Sequence, residues 1–193
     1  MTAPALILAS TSRYRRELLG RLGIPFTALA PGVDEAHREE SPTDRAVRLA
    51  AAKAEAVALQ NPGALVIGSD QVAACGDLIL DKPGTAERAR EQLTRLSGHT
   101  ALFHTAVALR RHDTGFRVDH LDTVSVAYRE LSAAEIAGYV ERDRPLDCSA
   151  SLRSESLGVA LLSSIDSRDP TSLIGLPLIW LAGVLRQCGY RLF

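Results

Sequence analysis

Five apolar residues in a row, Ala5-Leu6-Ile7-Leu8-Ala9, stop at Ser10-Thr11-Ser12 and give way to Arg13-Tyr14-Arg15-Arg16-Glu17-Leu18-Leu19. A short all-apolar run reads as a buried strand, and a serine ahead of a charged, Leu-bearing segment reads as a helix N-cap. Ser12 holds that cap position. The chain therefore begins with a strand-to-helix junction. A helix N-terminus leaves backbone N–H groups unpaired and carries partial positive charge. Three arginines in the first turn oppose that dipole, a conflict that a bound polyanion would offset. The junction is either a phosphate site or a solvated basic turn.

Strand-like and helix-like patterns alternate along the rest of the 193 residues without a repeat or linker. Ile24 to Leu29 reads as a second strand, and Pro31 to Glu40 as polar loop. Ser41-Pro42 opens a helix with Ser at N-cap and Pro at N1. Its apolar stripe is Val47, Ala50, Ala51, Ala54, Val57 and Ala58. Ala64-Leu65-Val66-Ile67 is a further buried strand that ends at Gly68-Ser69-Asp70. Thr85 caps a helix closing near Ser97-Gly98. Two long strands, His99 to Leu109 and Phe116 to Tyr128, flank an Asp113-Thr114-Gly115 turn. Ser132 and Glu135 form a capping box for a helix to about Glu141. Pro177 begins a last helix that Gly189 ends. Strand–helix units mixed with a hairpin predict an α/β fold with a mixed, twisted sheet flanked by helices.

Charge and length narrow the function. Lys and Arg number 22 against 23 Asp and Glu, for a net charge of -1, so no overall basic surface awaits a nucleic acid. Any anion site must be local. The start, Met1-Thr2-Ala3-Pro4, lacks the pattern of a signal peptide, and no apolar run approaches the ~18 residues of a membrane span. Cys75, Cys148 and Cys188 are odd in number and form no CxxC pair. These features predict a single domain over residues 1–193, cytoplasmic and reduced, without a structural zinc site.

Chemistry-bearing residues cluster at the element ends. Asp70 follows an apolar strand, where α/β folds place ligands, although an Asp there also serves as an ordinary turn residue. Gly68 and Ser69 permit close approach to it. Asp34 and Glu35 offer hard oxygen ligands for Mg²⁺ or Mn²⁺, or are simply solvated. Lys53 borders an apolar stripe, from which it either snorkels to water or reaches a site. Lys82 stands in a rigid Asp81-Lys82-Pro83-Gly84 turn. Ser151 to Glu155 and Asp169 to Leu178 add small, polar and Gly/Pro-rich loops.

Taken together, the order and spacing resemble the Maf family of nucleoside triphosphate pyrophosphatases across nearly the whole chain. The matching elements are Leu8-Ala9-Ser10-Thr11-Ser12 with Arg15, Val33-Asp34-Glu35, Ala52-Lys53-Ala54, Ile67-Gly68-Ser69-Asp70, Lys82-Pro83 and Gly175-Leu176-Pro177-Leu178. The resemblance implies a two-lobed fold around a cleft, similar to the inosine triphosphate pyrophosphatases. It also implies hydrolysis of a nucleotide to its monophosphate and pyrophosphate with a divalent metal, Mg or Mn. Ser10, Arg15, Lys53 and Lys82 would then bind the substrate, and Glu35 and Asp70 the metal. Asp70 matches the proposed general base. A homodimer is a further implication, and Arg13 departs from a proline common in the family.

Tyr14, Gln71 and Glu155 stand where the family's substrate groups differ. They resemble the group assigned to 7-methyl-GTP, with Tyr14 in place of its usual Trp. A cationic purine gains cation–π attraction from an aromatic face. A carboxylate accepts from guanine's N1–H and amine in charge-assisted bonds. Tyr14 also aligns with Leu18 and Leu22 at helical spacing, which leaves a core role open. The alternatives are a dTTP/UTP pyrophosphatase, or a nucleotide-binding regulator of cell division with little turnover.

Overall fold

The computed structural model describes residues 3–193; Met1 and Thr2, part of the segment read for a signal peptide, lie outside the described residues. Among the described residues, seven strands and five α-helices follow in the order β1 (Leu6–Ala9), α1 (Arg13–Gly20), β2 (Thr27–Leu29), α2 (Pro42–Gln60), β3 (Leu65–Cys75), β4 (Leu78–Ile79), α3 (Ala86–Leu96), β5 (Thr100–Arg111), β6 (Phe116–Tyr128), α4 (Ala133–Asp143), β7 (Leu162–Asp166) and α5 (Leu178–Gln187). The sheet order is β2-β1-β3-β5-β6-β7, with β4 paired to β3. β1 runs parallel to β2 and β3, whereas β3–β4 and β6–β7 are antiparallel. This is the expected mixed α/β sheet. The chain divides into two compact units, Met1–Asp70 with Thr105–Asp122 and Asp169–Phe193, and Gln71–His104 with Thr123–Arg168.

In the first unit, the two-residue period of the strands sorts the core. Leu6 and Leu8 of β1 and Leu65 and Ile67 of β3 pack with Leu18 and Leu19 of α1 and Leu181 and Leu185 of α5. Ile7, Ala9 and Val66 face the other way, against Val57 and Ala58 of α2. The buried face of α2 is rotated from the expected stripe. It carries Ala46, Leu49 and Lys53 as well as Ala50, Ala54, Val57 and Ala58, and leaves Val47 exposed. Gly68 sits on the α2 side of β3, where a Cβ would overlap the Ala50 carbonyl and stand 2.5 Å from Ala54 N. Only glycine lets the helix backbone approach the strand this closely.

In the second unit, α3 buries Ala89, Leu93 and Leu96 and packs on α4, which buries Ile136, Tyr139 and Val140. Both halves of the Ser132–Glu135 capping box are present. Backbone and side-chain bonds to Ser132, then the Arg129 bond, hold the Glu135 carboxyl down at about 2. The short 3₁₀ turns Ser149–Ser151 and Leu157–Leu161 bracket the segment that carries Glu155.

Two expectations about the strands need correction, and one strand was not expected at all. β3 does not end at Asp70 but continues to Cys75, so Asp70 lies within a strand and not at its edge. A buried ion partner, described below, lets the strand carry a carboxylate there. β2 is only three residues long, starting at Thr27. β7, an exposed strand at the end of the sheet order, carries no apolar alternation and gave no pattern to read.

Candidate active site

The first unit brings five of the singled-out residues into one constellation. At the α1 junction, Ser12 N donates to Ser10 Oγ at 3.1 Å, and Ser12 Oγ accepts from Arg15 N at 3.4 Å. The expected N-cap is thus in place. Arg15 turns inward and donates from Nε to the Gly175 carbonyl at 3.2 Å. Ser69, whose side chain alternates away from α2, donates to the same carbonyl at 3.0 Å. Burial lowers the Arg15 pKa from its ordinary value, and the negative charges of Asp70 and Glu35 work against that shift.

Lys53 does not snorkel. It is buried, with Nζ 2.7 Å from Asp70 Oδ1 and 2.8 Å from Glu35 Oε1. The close approach at Gly68 makes this pairing available, because Lys53 lies on the same helix face as Ala50 and Ala54 while Asp70 follows Gly68 on the same strand face. Asp70 is itself only 8% exposed, whereas more than half of the Glu35 side chain remains in solvent. Asp34 caps its own loop by accepting from Ala36 N at 2.9 Å. The arrangement is two carboxylates joined by one buried ammonium, with a guanidinium near enough to feel both.

That donor set fits a hard divalent cation of the Mg²⁺ type, which takes one or two protein carboxylates and completes its shell with phosphate oxygens and water. Among the described residues, no group of three or more His, Cys, Asp and Glu side chains is placed to hold a metal without such help. Sequence reading also missed Arg48. It pairs with Glu40 at 2.8 Å, and that bond chiefly raises its pKa, with smaller contributions from Asp34 and Asp70. Its partner lies outside its own helix, so helical spacing gave no signal.

Tyr14 is partly buried but, among the described residues, is not one of those that form or pack against the core cluster of Leu18, against which Leu22 packs. Instead Arg13 lies over its ring, 4.7 Å from the centroid, and donates to its hydroxyl at 2.7 Å. Gln71, Lys82 and Glu155 belong to the second unit. Gln71 is half-buried and directly follows Asp70; Lys82 and Glu155 are exposed on separate loops.

The family model described as Maf-like protein matches residues 5–188. The chain belongs to the Maf family. Its relatives include proteins named 7-methyl-GTP pyrophosphatase from Polaromonas sp., 50% identical over all of this chain and 88% of the relative, and from Bordetella pertussis, 51% identical over 96% of this chain and 93% of the relative. A third, from Xanthomonas axonopodis pv. citri, is 50% identical over 98% of this chain and 99% of the relative. In fold, the chain is similar to the Staphylococcus aureus Ham1 protein, with a TM-score of 0.54 and 17% identity over 95% of this chain and 98% of that one. A Coxiella burnetii HAM1 protein is alike at 0.52 and 16%, over 97% and 100% of the two chains. These likenesses agree with the α/β fold expected from the sequence. Among the described residues of this Maf protein, no helix is long and apolar enough to cross a membrane.

Proposed function

We propose that this Maf protein hydrolyses 7-methyl-GTP to 7-methyl-GMP and pyrophosphate. The names of relatives at about half identity support the substrate. The buried Lys53–Asp70 pair supports the chemistry, because the bond to the ammonium fixes the Asp70 carboxylate in one orientation beside the phosphate-binding side chains, and a general base needs that positioning first. Arg15, Lys53 and the α1 N-terminus with Ser10 bind triphosphate oxygens. Asp70 takes a proton from the water whose oxygen bonds to the α-phosphorus, and the bond from that phosphorus to the bridging oxygen breaks to release pyrophosphate.

Glu35 and Asp70 would hold a Mg²⁺ or Mn²⁺ ion, which when bound supplies charge neutralisation at the phosphates. Gln71, Lys82 and Glu155 are the second unit's proposed nucleotide contacts, Lys82 for phosphate and the other two for the base. Tyr14 is the proposed stacking surface.

Incubating the purified chain with 7-methyl-GTP, GTP, UTP and dTTP, with Mg²⁺ or Mn²⁺ present, tests the reading by chromatography of the products. The expected result is monophosphate plus pyrophosphate, fastest from 7-methyl-GTP. Diphosphate plus phosphate would refute the bond assignment, a pyrimidine preference would refute the substrate, and binding without turnover would leave a regulator.

A further inference from the structure

Glu155 stands at the third position of a tight turn in the second unit. The Arg153 carbonyl accepts from Ser156 N at 3.2 Å and from Gly158 N at 3.1 Å, closing the backbone on either side of the turn's crest. A Cβ on Gly158 would overlap that same carbonyl oxygen, so the closure depends on glycine. Both residues that flank the Ser154–Glu155 crest are tied to one side chain or its backbone. Ser156 Oγ donates to Asp143 Oδ1 at 2.6 Å. Arg153 Nη1 donates to the Asp143 carbonyl at 2.8 Å and lies 3.7 Å from Asp143 Oδ1. The Tyr139 hydroxyl accepts from Arg153 N at 3.0 Å and donates to the Ser151 carbonyl at 3.1 Å.

Asp143 is an unfavourable choice for the helix that carries it. It is the last residue of α4, where the macrodipole opposes negative charge. It is only 6% exposed, and its Oδ2 is buried with no hydrogen-bond partner. Unsatisfied buried carboxylate oxygens cost stability. The gain is in the loop that Asp143 fixes. Just upstream, Ala150 and Ser151 both adopt φ of +53°, a left-handed conformation that non-glycine residues avoid. Gln92 accepts from Ser151 Oγ at 2.6 Å and helps to hold it there. Backbone strain of this kind persists where surrounding bonds over-determine a geometry, and it gathers at sites whose shape matters.

We propose that Asp143 is a positioning residue for nucleotide selection, clamping Arg153 and Ser156 so that Glu155 is presented in a single orientation. The proposal rests on Glu155 contacting the base. A pre-oriented carboxylate loses less freedom on binding, so its hydrogen bonds to guanine's N1–H and amine are stronger in net effect.

The test uses the full chain with Asp143→Ala, Ser156→Ala, Glu155→Ala and the Asp143→Ala/Glu155→Ala double variant. Amide hydrogen exchange at Ser156 and Gly158 reads the clamp independently of activity. kcat/KM for 7-methyl-GTP and for UTP reads its consequence. Asp143→Ala and Ser156→Ala should speed exchange at both amides. They should lower kcat/KM for 7-methyl-GTP about tenfold, chiefly through KM, with UTP changed by less than about twofold. In the Glu155→Ala background, Asp143→Ala should alter the 7-methyl-GTP to UTP ratio no further. Unchanged exchange, equal losses on the two nucleotides, or additive effects in the double variant would overturn the proposal. If exchange quickens while Glu155→Ala leaves the ratio intact, the assignment of Glu155 to the base fails and the proposal fails with it, although the clamp itself stands. Should Asp143→Ala not fold, Ser156→Ala removes the same bond from an exposed position.

Discussion

Lys53 Nζ and Asp70 Oδ1 lie 2.7 Å apart on facing elements, α2 and β3, and both residues are buried. The two ends of this bond should fail differently. Asp70→Asn keeps size and polarity but removes the charge that a base or metal ligand needs. Turnover should fall by roughly 10²–10⁴-fold, the usual worth of general acid–base catalysis, with the fold intact. Lys53→Met leaves a buried carboxylate unpaired, so it should also cost about 3 kcal/mol of stability. Kinetics and urea unfolding of both variants check this; a near-normal Asp70→Asn enzyme removes Asp70 from the chemistry.

Gly68 makes that bond geometrically possible. A Cβ there would overlap the Ala50 carbonyl and crowd Ala54 N, both of them helix backbone that cannot rotate away. Gly68→Ala should therefore push α2 off β3, cost about 1–3 kcal/mol as overpacking does, and lower turnover by separating Lys53 from Asp70. Stability loss with unchanged kcat would show that the Lys53–Asp70 spacing tolerates movement of the helix.

The parts of this fold that were legible in the sequence are those fixed by neighbours a few residues away. Ser12, Ser41, Thr85 and Ser132 each accept from a backbone N–H three residues on, so each helix start could be read locally. The β5–β6 hairpin was readable for the same reason, from its Asp113-Thr114-Gly115 turn. What failed depended on distant partners. Asp70 looks like a strand end because a charge interrupts an apolar run, yet a lysine 17 residues earlier neutralises it and the strand continues to Cys75. Lys53 looks like a snorkelling surface residue until Gly68 is seen to admit its helix. The assembly of Ser10, Arg15, Glu35, Lys53 and Asp70 became visible through the family's motif order, whereas the Gly175 carbonyl that anchors Arg15 is a backbone atom and leaves no mark in residue types.

His120 and Trp180 provide a pH readout within the first unit. Their rings stack with centroids 4.5 Å apart and planes 10° off parallel, and Trp180 is the chain's one tryptophan. Burial pushes the His120 pKa below its ordinary 6.5, against the opposing pull of Asp122 and Asp169. A histidine favoured neutral in the fold contributes stability that is fully present above the unfolded pKa and lost as pH falls through the folded one. Tryptophan emission should change as pH drops, with a midpoint below 6.5, and thermal stability should decline over the same range. His120→Asn should abolish the optical transition. A midpoint at or above the ordinary value would contradict the partial desolvation of the ring.

Arg13 and Tyr14 bear on how a methylated base would be chosen. The guanidinium covers Tyr14 at 4.7 Å from the ring centroid, and the ring lies outside the Leu18 and Leu22 cluster. A cation–π contact is worth about 0.5–2 kcal/mol, or roughly two- to thirtyfold in discrimination between a charged and a neutral purine. Tyr14→Ala should therefore erase most of any preference for 7-methyl-GTP over GTP. Arg13→Ala should act in the opposite direction, because it withdraws a competing positive charge from the same ring and from the neighbourhood of a cationic base. The ratio of kcat/KM for 7-methyl-GTP and GTP reports both effects as differences in transition-state binding. Equal losses on 7-methyl-GTP, GTP and UTP in Tyr14→Ala would instead give the ring a structural role. A fall in the ratio for Arg13→Ala would mean that the guanidinium holds the ring in its stacking position and does not compete for it.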